Sequence, residues 1–341
     1  MAGDLVLLTG ASGFIGFRVL VLLLQGGYRV RAAVRNPASF EKIKSLKSAS
    51  PYVSQMESII IPDITVPGAY DDAVKGVKYI IHMASPFASP DLFGTDYEIS
   101  YIQPAVRGTV GMLESAVKVA GIERIVITAS ILSIASFSVA GTETLIDESH
   151  RSATSHGPYP DWVAAYSASK ARAFEATEQW MAENKPSFNL INIEPTFVLG
   201  RDETITDPSA IGKGANGVLI GPILGQASTQ PSPGVTVHVD DVALMHVRSL
   251  DPKIRGSQDF LANSHPPKGI EWSESFDIIK KHYPKQTAEG IFKVDTTERP
   301  PTAILRVDST KAEKTFGFTF KSFEEQVLSV ASQYLELVGQ K

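Results

Sequence analysis

Cysteine is absent from all 341 residues, so disulfides, thiolate nucleophiles and cysteine-ligated zinc are excluded at the outset. Long basic runs are missing too, and the formal net charge is -5, which points away from nucleic acid or an anionic membrane and toward a small molecule as partner. No apolar run is long enough to span a bilayer core of roughly 30 Å; the stretch from Val19 to Leu24 ends at Gln25-Gly26-Gly27. The chain starts without a basic leader or a small-residue cleavage pattern, so the cytoplasm is the expected location. Its seven histidines lack ligand spacing, and no metal is expected. Oligomeric state is not encoded in any of these features.

What remains is ordinary for a globular protein: 43% hydrophobic and 20% charged residues. Up to about residue 195, short runs rich in branched residues alternate with longer segments of helical spacing. Residues 4–9, 28–34, 58–61, 79–83, 124–128 and 189–193 read as strands, and 14–25, 39–46, 70–75, 97–120 and 161–183 as helices. That order predicts an α/β fold, a Rossmann-type doubly wound parallel sheet. From Thr196 to Gly234 the alternation fails and Gly, Pro, Ser and Thr accumulate. Val235 to Val239 then reads as a strand, with Asp240 and Asp241 placed to cap a helix from Val242 to Leu250. The expected organisation is a nucleotide-binding domain over residues 1–195, rejoined by 235–265, and a smaller C-terminal substrate lobe from 196–234 and 266–341.

Between the first strand and first helix lies Gly10-Ala11-Ser12-Gly13-Phe14-Ile15-Gly16. Absent side chains at Gly10, Gly13 and Gly16 let backbone turn tightly and approach a pyrophosphate at the helix N-terminus, flanked by Ser12, Phe14 and Ile15. The end of the second strand selects the dinucleotide. An acidic residue there would accept from the ribose hydroxyls of NAD, but this chain has Arg35, with no carboxylate until Glu41. Arg35, joined by Lys42, suits the 2'-phosphate of NADPH unless both are plain solvated charges. Asp63-Ile64 can hold the adenine, and Ala84-Ser85 ends the next strand where ligands gather. His82 reads better as a hydrogen-bonded core residue than as a catalyst.

Tyr166 and Lys170, four residues apart, share a helix face, where an ammonium is expected to pull the phenol toward working pH. Such a phenol can donate a proton to a carbonyl oxygen while a hydroxyl holds that oxygen. Ser130, ending the fifth strand, is the preferred hydroxyl, with Ser133 as the alternative. A buried tyrosine beside a surface lysine is the bland reading.

These residues, with Pro195-Thr196-Phe197-Val198-Leu199-Gly200 and His238-Val239-Asp240-Asp241-Val242-Ala243, resemble the extended short-chain dehydrogenase/reductases. Val34-Arg35-Asn36-Pro37 and His82-Met83-Ala84-Ser85-Pro86 are similar to the branch holding dihydroflavonol 4-reductase, cinnamoyl-CoA reductase and fungal aldehyde, methylglyoxal and ketone reductases. The resemblance implies hydride delivery from NADPH to a ketone or aldehyde, Tyr166 as acid, Lys170 also binding ribose, and Pro195, Thr196 and Val198 at the nicotinamide end. Two positions depart from the pattern: Ala129 replaces a serine, and Phe174 stands where related chains carry glutamate. Phe87, Ile131, Trp162 and Phe197 are candidate substrate contacts, each equally compatible with core packing. Two other readings stay open. One is an epimerase or dehydratase without net redox change, against which Arg35 argues. The other is a non-catalytic dinucleotide sensor, which has no use for the Ser130, Tyr166 and Lys170 set.

Overall fold

The computed structural model describes residues 3–85 and 96–340. Seven strands form the central sheet: β1 (Leu5–Thr9), β2 (Arg29–Val34), β3 (Met56–Ile60), β4 (Tyr79–His82), β5 (Arg124–Thr128), β6 (Asn189–Pro195) and β7 (Gln258–Ala262). Their spatial order is β7-β6-β5-β4-β1-β2-β3. The pairs from β3 through β6 are all parallel, with Val6 opposite Val30 on one side and Tyr79 on the other. This is the doubly wound Rossmann order, with a reversal of direction beside β1, where such sheets open a ligand crevice at the strands' C-terminal ends.

Burial follows position in the sheet. Central β1 is buried at every residue, as a strand covered on both faces requires. Near the edge, β2 alternates between exposed or half-buried residues and buried Val30, Ala32 and Val34, and outermost β3 carries no fully buried residue. Leu7, Ile80 and Ile125 from the sheet pack with Tyr70, Met112 and Leu113 in one core cluster.

Helices α1 (Phe14–Gln25), α2 (Pro37–Ser45), α3 (Gln103–Ala116) and α4 (Trp162–Asn184) complete the nucleotide-binding pattern. The start of α2 is set by Asn36, whose side chain accepts from the Ser39 amide at 2.9 Å, with proline in its first turn. Asp161 caps α4 in the same way, accepting from the Ala164 amide at 2.8 Å. The helix ends at Lys185 in left-handed backbone, just before Pro186. A five-residue π-helical stretch, Glu98–Ile102, leads into α3.

Contacts divide the chain into two compact units. One comprises residues 1–136, 150–194 and 243–260, and the other 137–149, 195–242 and 261–341. The second contains α5 (Asn216–Ile223), the start of α6 (Val239–Arg248), α7 (Glu274–His282), α8 (Pro284–Ala288), α9 (Thr310–Phe316) and α10 (Phe323–Leu337). Its core is aromatic, built on Trp272, Phe276, Phe292 and Phe323 with Val327 and Val330. Within the first unit, buried Arg124 at the start of β5 donates to the carbonyls of Ser249, Asp251 and Ile254, latching the segment after α6.

Several expectations need correction. The segment 70–75 forms turns rather than a helix: Gly68 and Gly76 bracket it in left-handed backbone and leave room for one α-turn, the Val74 amide to the Tyr70 carbonyl. α6 begins at Val239, so Asp240 and Asp241 lie in its first turn instead of capping it. β7 and α5 were not foreseen; the first has a polar start, and the second begins in a glycine-rich run and contains Pro222.

Candidate active site

Gly10 takes a positive φ of 75°, and a Cβ there would come within 3.1 Å of the Ala84 nitrogen, so the turn presses on the backbone that follows β4. At Gly16 the requirement is absolute: a Cβ would sit 2.1 Å from the Gly10 carbonyl oxygen. Gly13 caps α1 with extended backbone and no side-chain cap bond, and the first turn of α1 holds no carboxylate. The leading amides around Phe14, Ile15 and Gly16, beside exposed Ser12, are thus available to an anion.

Thr9, the last residue of β1, organises the next layer. Its Oγ1 accepts from the amides of Met83 and Ala84, each at 2.9 Å, and lies 3.0 Å from His82 Nδ1. This triple contact holds the end of β4 against the glycine turn. Three residues beyond the end of β4, Ser85 Oγ accepts from Lys170 Nζ at 2.9 Å. The Lys170 ammonium also lies 5.3 Å from the Tyr166 ring centroid, on the shared face of α4. Burial pushes Lys170 down to about 8, outweighing the ring's attraction for the cation. Burial likewise pushes Tyr166 up to about 12, the opposite of the expected depression, with the ammonium lying over the ring. The phenol is therefore held protonated, the form that an acid needs.

Ser130 and Ser133 flank a short turn packed against α4. Ser130 Oγ accepts from the Leu132 amide at 3.2 Å and Ser133 Oγ from the Ser130 amide at 3.2 Å. Ser130 is half-buried, whereas Ser133 is buried and lines a cavity of about 30 Å³ beside Lys170. His82, Ser85, Thr109, Thr128 and Asn192 also line it. The same cavity therefore brings together Ala84, Ser85, Ser133 and Lys170.

Arg35 and Lys42 are both exposed, and Arg35 has no hydrogen-bond partner among the described residues. The other strand-β2 arginines are committed: Arg29 donates to the Gly3 carbonyl at 3.2 Å and Arg31 pairs with Glu57. Glu41, the nearest carboxylate in sequence, pairs with Lys44 at 2.8 Å. Asp63 is held below the usual carboxylate range by bonds from the Thr65 hydroxyl and amide to its Oδ1. Ile64 packs against Gly108 of α3, where a Cβ would meet its Cδ1 at 3.0 Å.

Of the substrate candidates, Phe87 lies outside the described residues. Ile131 is buried, and Trp162 is 36% exposed at the start of α4. Phe197 belongs to the second unit, stacked on Phe137 at 6.2 Å and edge-on to Trp272 at 6.0 Å, so aromatic packing accounts for it. Pro195, Thr196 and Val198 are buried in that unit, with the Thr196 amide donating to the Ala262 carbonyl at 3.1 Å. Thr9 and the hydroxyl-lined cavity were missed in the sequence. Thr9 carried one usable signal, a polar side chain ending an otherwise apolar buried strand. Among the described residues no helix is long and apolar enough to cross a membrane, and no cluster of three or more His, Asp or Glu could hold a metal.

The model of the NAD dependent epimerase/dehydratase family matches residues 6–258. Ketoreductase CTB6 of Cercospora nicotianae is 38% identical over 345 residues, covering 99% of this chain and 96% of that protein. Ketoreductase sphI of Aspergillus fumigatus is 33% identical over 352 residues, covering 99% and 100%. Among solved structures, Gre2 from Candida albicans in complex with NADPH is similar with a TM-score of 0.82 at 26% identity, over 98% of this chain and 99% of that one.

Proposed function

This chain belongs to the NAD dependent epimerase/dehydratase family, within the extended short-chain dehydrogenase/reductases, and from that premise we propose that it is an NADPH-dependent carbonyl reductase converting a ketone or aldehyde to an alcohol. The observation that carries this reading is the half-buried Lys170 ammonium, which has three donors and one acceptor, Ser85, beside a phenol kept protonated. Its remaining N–H groups are open to ligand hydroxyls or water. The relatives named as ketoreductases and the NADPH complex of the Candida albicans protein point the same way.

The residues fit a dinucleotide. Gly10 and Gly16 form a cradle that any Cβ would fill, and the α1 N-terminus offers amides without a competing carboxylate. Arg35 and Lys42 are assigned to the 2'-phosphate, Asp63 and Ile64 to the adenine, and Pro195, Thr196 and Val198 to the nicotinamide end. When bound, NADPH supplies the hydride. Ser130 then holds the carbonyl oxygen by hydrogen bond, Tyr166 gives that oxygen its proton, and Lys170 binds ribose and stabilises the phenolate left behind. Residues 196–234 and 266–341 are assigned to substrate binding, and Ile131 and Trp162 are kept as candidate contacts. The cytoplasm is the proposed location, to be checked by imaging a tagged protein.

The test is stoichiometric. Net loss of NADPH absorbance with a panel of ketones, aldehydes and acyl-thioesters supports reduction. Turnover of a nucleotide sugar without net cofactor change moves the chain to epimerase or dehydratase chemistry. Tight NADPH binding with no turnover on any carbonyl leaves a sensor.

A further inference from the structure

The polar groups behind Lys170 leave two buried donors facing one cavity. Thr9 Oγ1 accepts two amide hydrogens, which fills its lone pairs, so its single hydroxyl hydrogen goes to His82 Nδ1. Neutral His82 must then carry its hydrogen on Nε2. Burial, and then the Lys170 charge, hold its imidazole down to about 4, so the neutral form dominates at working pH. His82 is 2% exposed, and its Nε2 meets no acceptor in good hydrogen-bond geometry, the nearby Gly108 backbone being close enough to favour the protonated ring but not to satisfy the N–H. Lys170 Nζ, with one acceptor for three hydrogens, opens onto the same space.

Acceptors are plentiful on the other walls. Thr109 donates to the Ala105 carbonyl and Thr177 to the Ala173 carbonyl, so both hydroxyl oxygens keep lone pairs for the cavity they line. Asn192 uses its amide nitrogen on Asp259, leaving its carbonyl oxygen. At about 30 Å³ the cavity holds one or two waters. We propose that His82 is a positioning residue for Lys170, acting through a water that accepts from both His82 Nε2–H and Lys170 Nζ–H and donates to the cavity's hydroxyl and amide oxygens. The water is thereby oriented with its lone pairs shared between two donors, and the His82 N–H dipole opposes the lysine charge across it. Facing the ammonium are Tyr166 on α4 itself, His82 at the end of β4 and Ser85 after it, Thr109 on α3, and Thr128 on β5, the last bonded to His246 at 2.7 Å; no carboxylate lines the cavity among the described residues.

This rests on the reductase reading only for what Lys170 does, and its tests need no turnover. Long-range proton–nitrogen NMR of the histidine-labelled wild type is expected to show His82 as the Nε2–H tautomer; an Nδ1–H signal overturns the proposal. The pH dependence of Lys170 acetylation by acetic anhydride, read by mass spectrometry, gives the second arm. His82→Asn keeps an acceptor for Thr9 but, being shorter, takes the N–H donor away from the Nε2 position, and is expected to raise the apparent Lys170 pKa by about half a unit or more. His82→Gln, whose amide reaches further, restores a donor and is expected to stay near wild type. No shift in the first variant, or equal shifts in both, sinks the idea. If His82→Asn does not fold, a high-resolution wild-type crystal structure decides: a water within hydrogen-bond reach of both donors supports the bridge, and none there overturns it.

Discussion

At the C-terminal edge of the sheet, Arg35 stands in solvent without a partner among the described residues, whereas Lys170 is sunk against Ser85 and Tyr166. The first cation is open to solvent and screened by salt. The second is brought down to about 8 by burial, which makes its charge costly to hold and sensitive to the groups around it. On the proposed reading, the exposed end would choose a cofactor cheaply and the other would hold a reactive group at some expense in stability.

The largest test of that contrast lies at the buried end. Tyr166→Phe is expected to lower kcat by about 10²- to 10⁴-fold while NADPH affinity, read by fluorescence titration, stays within a few fold. Normal turnover in this variant removes the proposed acid. At the exposed end, Arg35→Asp is expected to shift the NADPH/NADH ratio of kcat/KM by about 10- to 100-fold toward NADH, the worth of one charge-assisted phosphate contact. An unchanged ratio takes Arg35 out of the site. Raising ionic strength from about 0.01 to about 1 M shortens the screening length from about 30 to about 3 Å, and should weaken NADPH binding several-fold in wild type but less in Arg35→Gln.

The smallest effect concerns stability. Lys170→Met is expected to raise stability at pH 7 by about 1 kcal/mol, seen as a higher Tm, because it removes a half-buried charge. The pH dependence fixes the sign: with the folded lysine at about 8 and an ordinary value of 10.5, the unfolded chain binds more protons between those limits, so wild-type stability rises with pH across that window. The methionine variant should lose that slope. A variant no more stable than wild type at pH 7 would show that the ammonium is not strained. Wild-type turnover should fall above about pH 8 as the ammonium is lost.

The sequence shows one half of this molecule much better than the other. The apolar strand β1 and the largely buried β6, punctuated by glycine turns and capped helices, announce their type because period, cap and burial agree. Agreement fails at 70–75, where six residues with helical spacing are too few between two glycines, and at α5, whose proline and glycines disguise a buried helix. In the candidate site, residue types and spacing single out Tyr166, Lys170 and the glycine turn as candidates, but not where the ammonium lies against the ring, which depends on how the side chains pack. Thr9 escaped because its three partners come from a strand more than seventy residues away.

The latch formed by Arg124 and the outermost strand β7 both draw on residues after 248, long after the Tyr166 and Lys170 segment has been made. A nascent chain that has emerged only to residue 195 carries every candidate catalytic group, yet it presents the apolar flank of β6 as an open edge and leaves the Arg124 guanidinium without its carbonyls. Expression of the first 195 residues alone should therefore yield aggregate, and any excised cofactor-binding module of this protein has to keep the return segment through residue 262.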